Sequence, residues 1–323
     1  MKTKKILGLI FISSLILASC KKEDQTLDPN IDNNNNQAQA SAADLSNSFK
    51  LREQNATQTF SIDAASTQVV NGSKGGSFTF YANSFVTMSG QPVTGNVDIQ
   101  LVEVYEKADM ILMNKPTMGR MFGGQLAPLT SGGEFKILAS QGGQQLRLAP
   151  FNSFSATIPA PGGVTDPNMQ VFLGDTTTDT LVWNQDDSTQ LTTDSSGTSY
   201  FGFFDDLGWI NCDYFWNDPS PKTNVDVEIP AGYDNTTCML FVSFDGLNSI
   251  TSFYNYSNQV YSSGPAYELP IGLNVHFILL AYVNGVPQSA IVPATITNNH
   301  YEIVASLNPT TVAQLAIDIN NLP

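Results

Sequence analysis

Short runs of alternating apolar and polar residues, each closed by Gly, Pro or Asn, limit what this chain can fold into. Residues 78–83 alternate in this way, and the run 135–139 follows the pair Gly132-Gly133. A side-chain period of two is typical of strands that bury one face. No long helical period occurs before the last dozen residues. The sequence therefore predicts an all-β protein built from antiparallel β-sandwiches.

The strand runs form two groups, which predict two sandwich domains. The first covers residues 57–174, and the second, with immunoglobulin-like strand spacing, covers residues 199–323. The stretch 175–198 between them is rich in Ser, Thr and Asp and is interpreted as a linker with one strand in it, at the apolar trio Leu181-Val182-Trp183. At the carboxyl end the apolar period becomes helical, so we expect a short helix with Asn308 as its N-cap and Pro309 at its first position.

The first 19 residues have the composition of a secretory leader. Lysines at positions 2, 4 and 5 precede an apolar run, Ile6 to Ala18, that is shorter than the ~20 residues a helix needs to cross a bilayer. The run ends in Leu17-Ala18-Ser19-Cys20, which resembles the lipobox of bacterial lipoproteins. The resemblance implies a signal peptide over 1–19 and a diacylglycerol on the Cys20 thiol. The alternative is an ordinary signal peptide with a cysteine nearby by chance.

The segment 20–56 is predicted to be a disordered tether. It is polar, contains the asparagine run 33–36 and has almost nothing to bury. Its charged start, Lys21-Lys22-Glu23-Asp24, resembles the export signal of Bacteroidota-type lipoproteins carried to the outer face of the outer membrane. A solvated charge run is the alternative. The expected location is the outer membrane, lipid-anchored and facing outward.

A set of turn and core residues in the first predicted sandwich forms a recognisable pattern. It consists of Gly76 to Phe80, Asn83-Ser84-Phe85, Gly95-Asn96-Val97, Ala108 to Leu112, Pro116 and Gly132 to Phe135. The pattern resembles uncharacterised Bacteroidota surface lipoproteins and, distantly, the β-sandwich module next to ankyrin repeats and in netrin receptors. Gly208 to Asp213 resembles another recurrent motif of those lipoproteins. The resemblance implies a fold and brings no known catalytic site.

Charge excludes one class of partner. Three of the 14 Lys+Arg lie in the leader, leaving 11 against 29 Asp+Glu and a net charge of about −18. Nucleic acid is not expected as a partner, because phosphate binding needs clustered cations. The expected partners are the outer membrane, through the lipid on Cys20, and glycans or other envelope proteins.

Two further cysteines, Cys212 and Cys238, are predicted to form a disulfide, because an oxidising envelope favours pairing. Such a bridge would contribute about 3.5 kcal/mol on the chain-entropy model. Two buried free thiols are the alternative.

Three short motifs in the predicted linker resemble the O-glycosylation signal of Bacteroidota exported proteins. They place the acceptor hydroxyls on Thr176, Thr180 and Ser188, each directly after an aspartate. A plain solvated loop is the alternative.

The densest aromatic stretch runs from Tyr200 to Trp216. Aromatic rings stack on sugars, so Trp209, Phe215 and Trp216 are candidate glycan-binding residues. The alternative is a core strand of the second sandwich.

No catalytic, cofactor or metal signature accompanies these features. His276 and His300 lack a local nucleophile or HExxH partner, and the pairs Asp186-Asp187 and Asp205-Asp206 lack calcium-loop spacing. Two glycosidase carboxylates from distant strands remain an open alternative. The predicted function is that of a non-catalytic surface lipoprotein with a structural, adhesive or accessory role. The alternative is a glycan-binding accessory protein of a polysaccharide-uptake system.

Overall fold

The structure, a computed structural model, describes residues 39–177, 181–264 and 267–323 and consists mainly of β-strands. Three α-helices occur in these ranges: α1 (Ala42–Ala56), α2 (Lys107–Leu112) and α3 (Val312–Asn320). The predicted all-β class of sandwich-like sheets with a short C-terminal helix is confirmed.

Fourteen strands build the first sandwich. They are β1 (Gln58–Asp63), β2 (Gln68–Asn71), β3 (Ser77–Phe80), β4 (Phe85–Thr87), β5 (Asn96–Val104), β6 (Met118–Arg120), β7 (Leu126–Gln141), β8 (Gln144–Leu148), β9 (Phe154–Pro159), β10 (Gln170–Asp175), β11 (Val182–Asp186), β12 (Thr192–Thr193), β13 (Ser199–Phe204) and β14 (Gly208–Phe215). The larger sheet has the order β1-β5-β7-β14-β10-β11-β6, and the smaller has the order β12-β13-β9-β3-β2. Because β6 also pairs with β7, the five strands from β7 to β6 close on themselves.

Eleven strands build the second sandwich. They are β15 (Lys222–Thr223), β16 (Val225–Glu228), β17 (Cys238–Phe244), β18 (Ile250–Ser252), β19 (Asn255–Ser257), β20 (Val260–Ser262), β21 (Leu269–Pro270), β22 (Asn274–Val283), β23 (Val286–Thr295), β24 (His300–Ile303) and β25 (Asn308–Pro309). One sheet has the order β18-β17-β22-β23-β25 and the other β19-β20-β16-β24, while β15 pairs with β21.

Three hydrophobic cores hold these layers together. One fills the first sandwich and one the second. The third, the central core, joins the two sandwiches: it combines residues of α1, α2 and α3 with the β5, β10 and β14 face of one sandwich and the β17 and β22 face of the other. The described residues, 39–177, 181–264 and 267–323, therefore belong to one compact unit and not to two domains on a linker.

The predicted tether is wrong over its last part, because α1 occupies residues 42–56. The Ser41 side chain caps the helix by accepting from the Asp44 N–H at 3.1 Å. Leu45 and Phe49, four residues apart, are buried in the central core. So few apolar residues carry no helical signal by themselves, and the helix is stabilised by the core it packs on. Residues 1–38, with the predicted signal peptide, Cys20 and the rest of the tether, lie outside the described residues.

The predicted boundaries at 174 and 199 are also wrong. The stretch 175–198 contains β11 and β12, and the ring of Trp183 in β11 is fully buried. Further on, β13 pairs with β9, and β14 lies between β7 and β10, so both complete the first sandwich. The second sandwich begins only at β15.

The C-terminal helix begins later than predicted. Its N-cap is Thr311, which accepts from the Gln314 N–H at 3.1 Å. Asn308 and Pro309 instead form β25 and pair with β23. The proline is compatible with this position because β25 is an edge strand.

The predicted disulfide is absent, because Cys212 and Cys238 are both buried free thiols. Cys212 belongs to the core of the first sandwich and Cys238 to that of the second. Burial raises the pKa of the Cys238 thiol to about 12, and that of Cys212 well above its ordinary value.

Candidate functional site

A cleft of about 880 Å³ lies where the two sandwiches meet. We call it the junction cleft. The first sandwich lines it with Met121, Gln125 to Pro128 and Phe215 to Asn217, and the second with Lys222, Asn224, Ser262, Gly264, Tyr267 and Glu268. Its size falls in the range of about 300–1,000 Å³ typical of small-molecule sites.

Two of the three aromatic residues proposed from the sequence line this cleft. Phe215 ends β14 and packs edge-on against Phe172, with 5.4 Å between ring centroids. Trp216 follows it and packs against Phe244 at 5.1 Å, while its backbone N–H donates to the Pro128 carbonyl at 3.1 Å. Both side chains are half-buried. They are therefore held in fixed positions while part of each ring remains accessible.

Trp209 lies apart from the junction cleft, and only 5% of it is exposed. It packs edge-on against Trp183, and the ammonium groups of Lys115 and Lys136 lie 4.9 Å and 5.6 Å from its ring centre. Both lysines are also ion-paired with Glu53 of α1. Trp209 thus packs the first sandwich against α1 and is not an exposed sugar platform. It is a core residue, as the alternative predicts, but of a strand in the first sandwich and not in the second.

The polar residues of the junction cleft had no signal in the sequence. Gln125, Asn217, Lys222, Asn224 and Glu268 are exposed and come from three separate segments of the chain. The fold brings them together because the β6–β7 hairpin, the end of β14 and the β15–β21 pair meet at this point. They supply donors and acceptors for a polar ligand, with one charge of each sign from Lys222 and Glu268.

A pair of buried acids lies on the face of β7 and β14 that meets the central core. Glu134 is opposite Asn211, whose Nδ2 donates to Asp213 at 2.6 Å, and Ser131 Oγ donates to Asn211 Oδ1 at 3.1 Å. Both carboxyl groups are fully buried. Neither oxygen of Glu134 has a hydrogen-bond partner. Burial and then the charge of Asp213 raise the pKa of Glu134 well above its ordinary value, and burial likewise raises the pKa of Asp213.

This pair is sealed from solvent, so Glu134 and Asp213 are not the two carboxyl groups of a glycosidase. A glycosidase needs its two carboxyl groups on either side of a bound glycosidic bond. No substrate reaches Glu134 or Asp213, since neither has accessible surface.

The surface candidates are dispersed. Thr176 is exposed directly after β10, and Ser188 is exposed but donates its hydroxyl to Asp186 at 2.6 Å. Thr180 lies outside the described residues. The histidines have local partners: His276 Nδ1 is 2.8 Å from Asp245, and His300 stacks on Phe277.

The remaining acidic pairs lie in turns or at a strand end. Asp186 accepts from the Ser188 N–H at 2.9 Å, and Asp205-Asp206 are exposed between β13 and β14. Within the described ranges, no group of three or more His, Cys, Asp or Glu residues is arranged to hold a metal ion. None of the helices in those ranges has the length and apolar character to cross a bilayer.

No family model matches this chain, and no curated protein matches it.

Proposed function

We propose that this chain is a lipid-anchored, non-catalytic protein of the cell surface, and that it binds a neutral glycan in the junction cleft as an accessory or adhesive subunit. The observation that carries the proposal is the placement of Phe215 and Trp216 in that cleft, beside exposed amide and charged side chains. Fixed aromatic rings with a few polar groups around them match the chemistry of a sugar, which has apolar C–H faces and a polar hydroxyl rim.

A neutral glycan fits the charges better than an anionic one. The chain without its leader carries about −18, so an anionic polysaccharide would be repelled at long range. Within the cleft, Lys222 and Glu268 give no net charge to attract an ionised ligand.

Replacing Trp216 with alanine should weaken glycan binding at least tenfold, because it removes one of the two half-buried aromatic rings that line the cleft. The test is a screen of neutral polysaccharides, followed by calorimetric titration of the parent and the variant. Phe203→Ala is the matched control: Phe203 belongs to the same aromatic stretch and is exposed, but lies in the smaller sheet of the first sandwich and does not line the cleft.

The control variant should bind like the parent, and the thermal unfolding of both variants should show that they are folded. Failure of the parent to bind any neutral polysaccharide would contradict glycan binding. Turnover of a glycan or peptide by the parent would contradict the non-catalytic part of the proposal.

The lipid anchor has its own test. Cys20→Ala should move the protein from the membrane fraction to the soluble fraction, because the thiol that accepts the lipid is lost. Cys238→Ala is the control, since it also removes one thiol but leaves the anchor intact. Retention of the Cys20→Ala protein in the membrane, or an unmodified amino terminus by mass spectrometry, would contradict the anchor.

A further inference from the structure

The hairpin between β6 and β7 borders the junction cleft, and its base is held firmly. Met118 is fully buried. A Cβ on Gly119 would lie 2.8 Å from both Leu129 and Phe215. The glycine therefore lets the hairpin pack directly on these two side chains. Across the hairpin, Gly119 is opposite Ala127 and Arg120 is opposite Leu126. The base of the hairpin is therefore packed directly against Phe215.

The tip of the same hairpin is unpacked. Phe122 is 109% exposed, which means that its ring contacts almost nothing. Gly123 and Gly124 follow with φ of 103° and 90°, and a Cβ on either would meet no atom within 4 Å. The turn itself is closed, because the Met121 N–H donates to the Gln125 carbonyl at 2.8 Å and the Gly124 N–H donates to Met121 at 2.9 Å. The ring can therefore change position without loss of the turn.

A fully exposed phenylalanine such as Phe122 is unusual in the turn of a hairpin. Turn positions favour Gly, Asn, Asp and Ser, and burying a phenylalanine side chain away from water releases free energy. That free energy becomes available only when the ring is covered. Met121 and Gln125, which flank the tip of the hairpin, both line the junction cleft. A ligand in the junction cleft would therefore lie beside the tip of the hairpin, where it can cover Phe122.

We propose that Phe122 is a ligand-contacting residue that closes over a sugar bound against Phe215 and Trp216, so that one ring is held between two aromatic surfaces. This inference rests on the glycan binding proposed above and specifies its ligand. A sugar held on both faces needs C–H groups on both faces. Pyranoses whose ring hydroxyls are all equatorial, as in β-1,4-linked glucose and xylose, meet this condition. Mannose, with an axial hydroxyl on one face, does not.

The binding test uses the hexasaccharides of β-1,4-glucan, β-1,4-xylan and β-1,4-mannan, titrated calorimetrically. All proteins carry Cys20→Ala so that they are obtained without lipid. Phe122→Ala should bind the glucan or xylan hexasaccharide about tenfold more weakly than the parent. Phe122→Tyr should restore binding, and the mannan hexasaccharide should bind weakly to all. Phe151→Ala is the matched control, because Phe151 is 108% exposed on another loop and does not line the cleft.

A second measurement follows the closure itself. A bimane label on Phe122→Cys is selective, because the two remaining thiols are buried and the pKa of the Cys238 thiol is raised to about 12. Bimane is quenched by a nearby tryptophan, so the saccharide should increase quenching, and Trp216→Phe should abolish the increase. The same label on Phe151→Cys should not respond.

The outcomes distinguish failure of the role proposed for Phe122 from failure of glycan binding in the junction cleft. Normal binding by Phe122→Ala, together with loss of binding by Trp216→Ala, would overturn the role of Phe122 and leave glycan binding intact. Equal binding of the mannan and glucan hexasaccharides would overturn the two-sided contact. No binding of any neutral hexasaccharide by the parent would overturn both proposals.

Discussion

Replacing Trp183 with alanine should lower the free energy of unfolding by about 3–5 kcal/mol, the range for deleting a buried aromatic side chain. The ring is fully buried in the central core and packs against Trp209 with 6.5 Å between centroids. Its Nε1–H donates to the Pro116 carbonyl at 3.1 Å. The variant leaves a cavity and an unpaired buried carbonyl. Urea denaturation of parent and variant measures the difference.

Two control variants separate the effect of losing the buried Trp183 ring from the loss of its hydrogen bond and from the loss of an exposed ring. Trp183→Phe keeps most of the ring but loses the hydrogen bond, so it should cost about 1–3 kcal/mol. Phe203→Ala removes an exposed ring and should change stability by no more than about 0.5 kcal/mol. If Trp183→Ala unfolds at the same urea concentration as the parent, then residues 175–198 are a linker after all, and β11 is not part of the sheet.

Trp183 also supports the proposed binding site. In the parallel ladder between β11 and β6 it is opposite Gly119, at the base of the hairpin that borders the junction cleft. The contact from Trp183 to the hairpin therefore helps to fix the wall of the cleft. We expect Trp183→Ala to weaken glycan binding even at a temperature where the variant remains folded.

The strands of this protein could be predicted from the sequence, but their partners could not. Alternation of side chains is a local property, and the alternating runs 78–83 and 135–139 overlap β3 and β7. Which strand lies beside which is decided by distant parts of the chain. β14 follows the Ser/Thr-rich stretch and was assigned to the second sandwich, yet it lies between β7 and β10.

Because β14 is buried on both faces, the sequence of the aromatic stretch does not show which of its rings are exposed. Ile210 and Cys212 of β14 face the core of the first sandwich, whereas Trp209 faces the central core. A strand covered on both sides loses its alternating pattern, so sequence cannot separate a packed tryptophan from an exposed one. Phe215 and Trp216 reach the cleft only because β14 ends there.

Raising the pH from about 5 to 8 should lower the stability of the protein, and Glu134→Gln should remove much of this loss. In the unfolded chain Glu134 and Asp213 titrate near their ordinary pKa values of 4.5 and 3.8. In the folded protein both pKa values are raised, chiefly by burial, so the folded state keeps protons that the unfolded state has released. Each such proton lowers the free energy of unfolding by about 1.4 kcal/mol per pH unit. The loss begins above the unfolded pKa and ends at the folded pKa.

Carboxyl groups whose pKa is lowered in the folded protein do not obscure this window. Hydrogen bonds from Ser196, Ser199 and Thr198 lower the pKa of Asp194, and bonds from Thr236 and Thr237 lower that of Asp234. Groups of this kind stabilise the fold above their unfolded pKa, and that stability is lost only as the pH falls through the acid range. Between pH 5 and 8 they are ionised in both states. They therefore add nothing to the slope in that range.

Glu103→Gln is the matched control for Glu134→Gln, because the two glutamates are equally buried but have opposite surroundings. The Glu103 carboxylate accepts from the N–H groups of Lys74 at 3.0 Å and Gly76 at 2.9 Å, and from Gln58 Nε2 at 3.0 Å. An amide there points donors at donors, so the variant should lose about 1–3 kcal/mol at every pH. Glu134→Gln should instead match the parent near pH 5 and exceed it at pH 8, because an amide has no charge to desolvate. Urea denaturation across this pH range gives both comparisons. A parent whose stability is flat from pH 5 to 8, or a Glu134→Gln variant as damaged as Glu103→Gln, would show that the Glu134 carboxylate is ionised and paired in the core.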